Sequence, residues 1–393
     1  MNGDKKTLMI IDSNALIHRA YHALPGLTAP DGTLVNAVYG FCLIFFKAIS
    51  EINPDYIVAA FDVKGKTFRH DEFADYKATR EKKADNFYAQ IPMVKDVLKS
   101  MGVLVLEKEG FEADDVIGTV AEKSKNQNVE TIVVTGDLDT LQLLRDDLKV
   151  WALKVGISNS VVYDIDKFKE RYDLEVDQFV DFKALKGDPS DNIPGVAGIG
   201  DKTAASILQK HGSLDNLYKD IDGILADPMI LAKDKKLYTK LKEAEDEARF
   251  SQHLSMIKKD VDVDFDLEKS KFVFDTKEKT AQMFRDFGFS SLIPKLNMNM
   301  VINTSKKDEN KNKKTVEVCE NLDQFKSNLK HEKLFVFDNT HINEDKDGIL
   351  LFYEKEDKFV SFFVDAQNIK TVKSILQDRE LITFDAKSLY YKY

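Results

Sequence analysis

Three runs constrain this chain most: TLMIID closes on Asp12, YIVAAFD on Asp62, and ETIVVTGD on Asp137. Each is continuously apolar rather than alternating, the pattern of parallel strands covered on both faces. Helical patterns fill the intervals, over Asn36 to Ile52, Phe87 to Met101 and Asp114 to Lys125. Strand alternating with helix predicts a doubly wound α/β sheet with mostly parallel strands. Such sheets bind ligands beyond the carboxyl ends of their strands. Three strands that each bring an Asp to that edge define a candidate site.

The 393 residues exceed one ordinary domain, and 43% hydrophobic content is enough to build real cores. The expected division is an α/β core over 1–178 and a second part over 179–300. A polar linker, 301–314, then precedes a small piece over 315–393. The second part holds short helices around a Gly-rich turn and a charged helical stretch from Leu231 to Arg249. VDVDFDLE, with Asp262, Asp264 and Asp266, imitates a calcium loop. Its sixth and twelfth positions hold Leu267 and Val273 instead of Gly and Glu, so an exposed extended segment is expected. The last piece reads as strands, TVEVC, KLFVFD, GILLFYE and FVSFFVD, then a helix near Ile369 to Leu376.

A net charge of −10 argues against a general basic nucleic-acid coat but leaves room for a local basic patch. Cys42 and Cys319 are too far apart for metal spacing, which excludes a disulfide framework or zinc knuckle and suits a reducing cytosol. The opening MNGDKK runs straight into a strand pattern, so no signal peptide is expected. VYGFCLIFF is half a membrane span and stops at Lys47. The expectation is a cytoplasmic monomer without a membrane partner.

Acids cluster beyond the three strand ends. EADD supplies Glu112, Asp114 and Asp115, GDLD supplies Asp137 and Asp139, and GDPSDN supplies Asp188 and Asp191. Positions 112 and 115 are three apart and share a face if helical; 137 and 139 are two apart and point the same way if extended. Taken singly, EADD reads as a helix cap and GDPSDN as a turn. Together they would place like charges on one sheet edge, which a hard divalent ion such as Mg²⁺ or Mn²⁺ would neutralise. A haloacid-dehalogenase-type phosphatase is excluded, because its Asp-x-Asp is here Asp12-Ser13-Asn14.

Two stretches suit phosphate. GVAGIGDKTA places Gly195, Gly198 and Gly200 before a helix start, with Lys202 and Thr203 beside them and His211-Gly212 as the helix end. An ordinary helix–turn–helix corner is the competing reading. Positions 64 to 83 hold seven bases against four acids, with Phe68, Phe73 and Tyr76 interleaved. That mixture suits backbone phosphates and unstacked bases, although a solvated amphipathic helix has the same charge pattern.

MIIDSNALIHRAYHAL, VYGF, FDVKGKTFRH, YKATR, GFEADDVIGT, TGDLDTLQLL and KGDPSDNIPGVAGIGDKTA occur in one order across residues 7 to about 260. In this they resemble the 5′-nuclease domain at the front of bacterial DNA polymerase I, a flap-endonuclease relative in the PIN-like superfamily. The resemblance implies two divalent ions held by Asp12, Asp62, Glu112, Asp114, Asp115, Asp137, Asp139, Asp188 and Asp191. It implies a helix–hairpin–helix at Gly195 to Lys202 that grips duplex backbone and holds K⁺. Tyr76, Lys77 and Arg80 match an arch that threads a 5′ single strand, with Lys77 and Arg80 steering the scissile phosphate and Arg69 among the DNA contacts. Leu138 stands where many relatives have Lys, and EKKADN follows YKATR where relatives are often Pro-rich. The tail resembles the start of an RNase H-like proofreading domain, but Thr340 occupies the place of its motif Glu after Asp338, so that domain is expected to be degenerate and partial.

The activity implied is hydrolysis of DNA phosphodiesters at a 5′ flap, nick or RNA-primer end, in replication primer removal and repair. The polymerase part of the family is not expected in this chain. An endoribonuclease acting on structured RNA would share the acids, and a non-catalytic DNA-binding module would share the hairpin.

Overall fold

Unbroken burial along the first two strands sets the architecture. β1 (Lys6–Asp12) buries its last five residues and β2 (Tyr56–Phe61) buries all six. Because successive side chains face opposite sides of a strand, such strands must be covered twice. Leu8, Ile10, Val58 and Ala60 face one core with Val116, Ile117 and Val120 of the helix Ala113–Ser124. Met9, Ile11, Ile57 and Phe61 face a second core with Phe41 and Phe45 of the helix Asn36–Ile52 and Val94 and Val97 of the helix Gln90–Ser100. Each large apolar side chain so buried contributes about 1.5–3 kcal/mol.

The computed structural model describes residues 5–80, 83–154, 156–273 and 277–297, and the backbone of five strands between 316 and 383. With β3 (Leu104–Glu107), β4 (Val129–Thr135), β5 (Leu148–Leu153) and β6 (Ser160–Tyr163), the first sheet has the order β3-β2-β1-β4-β5-β6. All neighbours pair in parallel except β5 with β6. The chain moves outward from β1 through β2 to β3, then returns to the other side of β1 for β4. Connections therefore diverge at the carboxyl ends of β1 and β4, where an open α/β sheet leaves its ligand crevice.

Beyond the sheet come the helices Phe179–Lys186, Asp201–His211, Leu214–Ala226, Ala232–Glu243 and Glu245–Ser255. Two expected helices are divided. The stretch from Phe87 splits into Asp85–Tyr88 and Gln90–Ser100. Pro92 explains the break, since its ring would collide with the carbonyl of Tyr88 in a continuous helix but is tolerated in a first turn. The charged stretch breaks at Ala244.

Residues 1–303 and 304–393 are separate compact units. In the second, β7 (Val316–Val318), β8 (Leu334–Asp338), β9 (Gly348–Lys355), β10 (Lys358–Asp365) and β11 (Leu381–Thr383) form a sheet of order β11-β8-β9-β10-β7. The expected linker, Thr340 and the helix near Ile369 lie outside the described residues. Among the described residues no helix is long and apolar enough to cross a membrane.

Candidate active site

Asp12 ends β1 and caps the following helix, accepting from the Ala15 amide at 3.2 Å and the Thr135 hydroxyl at 2.6 Å. Thr135 ends β4, and its Oγ1 accepts in turn from the Asp137 amide at 2.9 Å. One hydroxyl thus joins the two strand ends that flank the crevice. Asp62 follows β2 and accepts from the Ala113 amide at 2.7 Å, which places it at the start of the helix carrying Asp114. Asp137 accepts from the Asp139 amide at 3.1 Å.

These acids feel one another. Burial raises the Asp12 carboxyl to about 7, with Asp62 and Asp137 adding repulsion. Burial likewise lifts Asp114 well above the usual range, and Asp12, Asp137, Asp139 and Glu112 push in the same direction. Asp139 is raised to about 7 by burial, against the pull of Lys183. Protein crowds Asp62 on most sides although its outer face meets solvent, and that crowding raises it too.

The other acids are countered by bases. Lys183, in the helix Phe179–Lys186, pairs with Asp139 at 2.5 Å and Asp188 at 2.7 Å. Burial works to raise Asp188, but Lys183 and Ser190 outweigh it and hold the carboxyl at about 2. Lys77 pairs with Glu112 at 2.6 Å and lies 3.7 Å from Asp191, and Arg80 pairs with Asp191. Lys77 has left-handed backbone (φ 56°) and donates its amide to the Asp191 carbonyl, which fastens this segment over the acids. Tyr76 donates its hydroxyl to Glu112 at 3.0 Å and Asp191 at 3.1 Å.

Three residues given site roles by resemblance have protein partners here. Asp115 shares Arg69 with Glu112, the guanidinium lying 2.7 Å from Asp115 and 3.7 Å from Glu112. Glu112 is the helix cap, with extended backbone, so the helical rule that put 112 and 115 on one face does not apply. Asp115 instead accepts both Arg69 guanidinium nitrogens, at 2.7 and 2.9 Å, together with the amides of Glu112 and Lys258. Its four acceptor positions are filled. Arg69 is only 3% exposed and also donates to the Leu254 and Met256 carbonyls, so it ties Asp115 to that segment. Tyr76 is likewise buried, facing Glu112 and Asp191.

The hairpin is built by backbone contact. Gly187 and Gly195 both have positive φ, and a Cβ on Gly195 would lie 2.2 Å from the Gly187 nitrogen. Gly198 (φ 75°) and Gly200 are exposed at the turn, and Gly200 caps the helix Asp201–His211. Lys202 is exposed in the first turn of that helix with Thr203 half-buried beside it, and Gly212 closes the helix as expected. Sequence reading missed Lys183, Thr135 and Arg19, the last of which donates to the Gly136 carbonyl at 3.3 Å. Lys183 left one signal, a lysine on a helix otherwise burying Phe179, Phe182 and Leu185.

Asp12, Asp62, Asp114 and Asp137 have no ion-pair partner among the described residues. Hard oxygen donors without a counter-charge suit Mg²⁺ or Mn²⁺. Among the described residues no three such groups already stand around a common point, in keeping with carboxylates that repel one another.

Residues 7–173 match the family described as 5′-3′ exonuclease, N-terminal resolvase-like domain, and residues 174–279 match 5′-3′ exonuclease, C-terminal SAM fold. The chain belongs to the 5′-3′ exonuclease family, with both domains in order. More particularly, it is homologous to the N-terminal part of bacterial DNA polymerase I. It is 41% identical over 297 residues to DNA polymerase I of Chloroflexus aurantiacus, covering 74% of this chain and 30% of that one. It is 36% identical over 293 residues to the Bacillus subtilis enzyme, covering 75% and 32%. The chain thus spans about a third of the length of these relatives. In fold it is similar to the bacteriophage T5 D15 protein co-crystallised with metal ions, with a TM-score of 0.52 at 19% identity over 75% of this chain and 98% of that one. The catalytic core of Rad2 in complex with DNA has a TM-score of 0.51 at 16% identity, over 74% and 93%.

Proposed function

We propose that this chain hydrolyses DNA phosphodiesters near a 5′ end, at flaps, nicks or RNA-primer ends, with two divalent metal ions, Mg²⁺ or Mn²⁺. The observation that carries this reading is that Thr135 ties the Asp12 and Asp137 ends together at the β1/β4 crevice while Asp62 anchors the start of the helix carrying Asp114, with Lys77 and Arg80 paired to neighbouring acids. Asp12, Asp62, Asp114 and Asp137 would hold one ion, and Glu112, Asp139, Asp188 and Asp191 would hold the other. When bound, such ions supply Lewis acidity toward the phosphodiester and the attacking water. Lys77 and Arg80 then exchange their carboxylate partners for the scissile phosphate and stabilise the charge that develops on it. Thr135 holds the Asp12 and Asp137 ends together, which fixes the spacing of the first ligand set.

The hairpin amides and Lys202 face duplex phosphates; the assignment of K⁺ to this hairpin rests on resemblance. The T5 D15 flap endonuclease solved with DNA and metal ions, and the Rad2 core solved with DNA, support nucleic acid as the partner. We place the enzyme in the cytoplasm, whose reducing conditions suit the unpaired, buried Cys42, and expect it to act as a monomer.

The test is cleavage of a 5′-labelled flap duplex in Mg²⁺, with EDTA as control, beside an RNA flap of the same shape. Asp114→Asn is expected to abolish cleavage while flap binding persists. Full activity of that variant, or activity in EDTA, would overturn the metal reading. Preference for the RNA flap would favour an endoribonuclease.

A further inference from the structure

The eight acids assigned to metal are countered unevenly. Asp12, Asp62, Asp114 and Asp137 meet no cation within ion-pair reach among the described residues. Asp139 and Asp188 meet one inside the protein. Lys183 is 4% exposed, and its Nζ lies 2.5 Å from Asp139 and 2.7 Å from Asp188, carboxylates carried by different segments. An ammonium bridging two carboxylates occupies the electrostatic role of a bridging metal ion. At 4% exposure it cannot reach a duplex phosphate without leaving that place. Its helix is held by Phe179, Phe182 and Leu185 in the core, so the lysine is presented to these acids by packing.

Resting on the two-metal reading above, we propose that Lys183 is the resident counter-ion of the Asp139–Asp188 half of the site and sets the affinity of the second divalent ion. The first ion enters a half that lacks a counter-charge. The second competes with an ammonium already in place, so that half fills only when Lys183 withdraws. Lys183 is on this account a positioning residue that makes the two ions unequal, not a group that touches the substrate. A lysine with a merely structural role would affect stability and leave metal affinity where it was.

The experiment is calorimetric titration of the full chain with Mn²⁺ in the absence of DNA, on the wild type, Lys183→Met and Lys183→Arg. The wild type should show one tight ion and one weak one. Lys183→Met should tighten the weak ion at least tenfold, about 1.4 kcal/mol, and leave the tight one unchanged; Lys183→Arg should keep the wild-type pattern. The rise in melting temperature on adding Mn²⁺ should be larger for Lys183→Met than for the wild type, because the metal restores a missing counter-charge. If Lys183→Met folds only once Mn²⁺ is present, that dependence supports the proposal equally. An unchanged weak constant in a folded Lys183→Met would overturn it, as would failure of both Lys183→Met and Lys183→Gln to fold at any Mn²⁺ concentration. A wild type that binds no Mn²⁺ would instead defeat the metal reading on which the proposal rests.

Discussion

Asp114 and Asp115 are adjacent in sequence and have opposite duties. Asp114 faces other acids and is pushed up by them, whereas Asp115 has a guanidinium and two amides on its oxygens. Removing one partner of a buried ion pair leaves the other charge uncompensated, at a cost of about 3–5 kcal/mol. Arg69→Met should therefore lower unfolding free energy by that amount in urea denaturation, and a loss below about 1 kcal/mol would show that the bridge is dispensable. Asp188 gives a pH-dependent counterpart. Its folded carboxyl, at about 2, lies below the ordinary 3.8, so its contribution is complete above 3.8 and disappears as pH falls through 2. In EDTA, Asp188→Asn should be less stable than the wild type by about 1–2 kcal/mol at pH 5, allowing for solvent screening. The gap should narrow steadily below pH 4; a constant gap would contradict the Lys183 pairing.

Among the elements, the hairpin separates glycines by need. At Gly195 the backbone is left-handed and a methyl would strike the Gly187 nitrogen at 2.2 Å, whereas at Gly200 φ is −105° and nothing lies within 4 Å. Gly195→Ala should cost more than the about 1–3 kcal/mol of backbone strain alone and weaken duplex binding. Gly200→Ala should stay within about 0.5 kcal/mol. Thermal melts and a duplex-binding titration compare the two, and equal effects would refute this account of the turn. The helices show a similar contrast between pattern and context. Apolar spacing marked the region from Phe87 as helical, but the Pro92 ring requires a break near Ala89 that periodicity does not register. Lys183 was passed over for the opposite reason, since one charge on an apolar face does not interrupt the pattern.

At the scale of the molecule, both cores and every assigned site residue lie within the unit ending at residue 303. A chain ending there should melt cooperatively and cleave a 5′ flap at a rate within a few-fold of the full chain. Loss of cleavage in a folded truncation would show that the second unit contributes to the reaction. Much of this was readable from the amino acids: continuously apolar strands require cover on both faces, and strands of that kind deliver their terminal acids to one edge. The alternation of strand and helix gave a doubly wound sheet, but the order of its strands came only with the fold. Partnership could not be read that way. Asp115 finds Arg69 46 positions away, Lys77 finds Glu112 across 35, and Arg80 finds Asp191 across 111. Periodicity and capping act over one or two turns, so the sequence by itself determined where the acids gather. Which of them are neutralised depends on ion pairs between remote segments, and only the tertiary structure decided those.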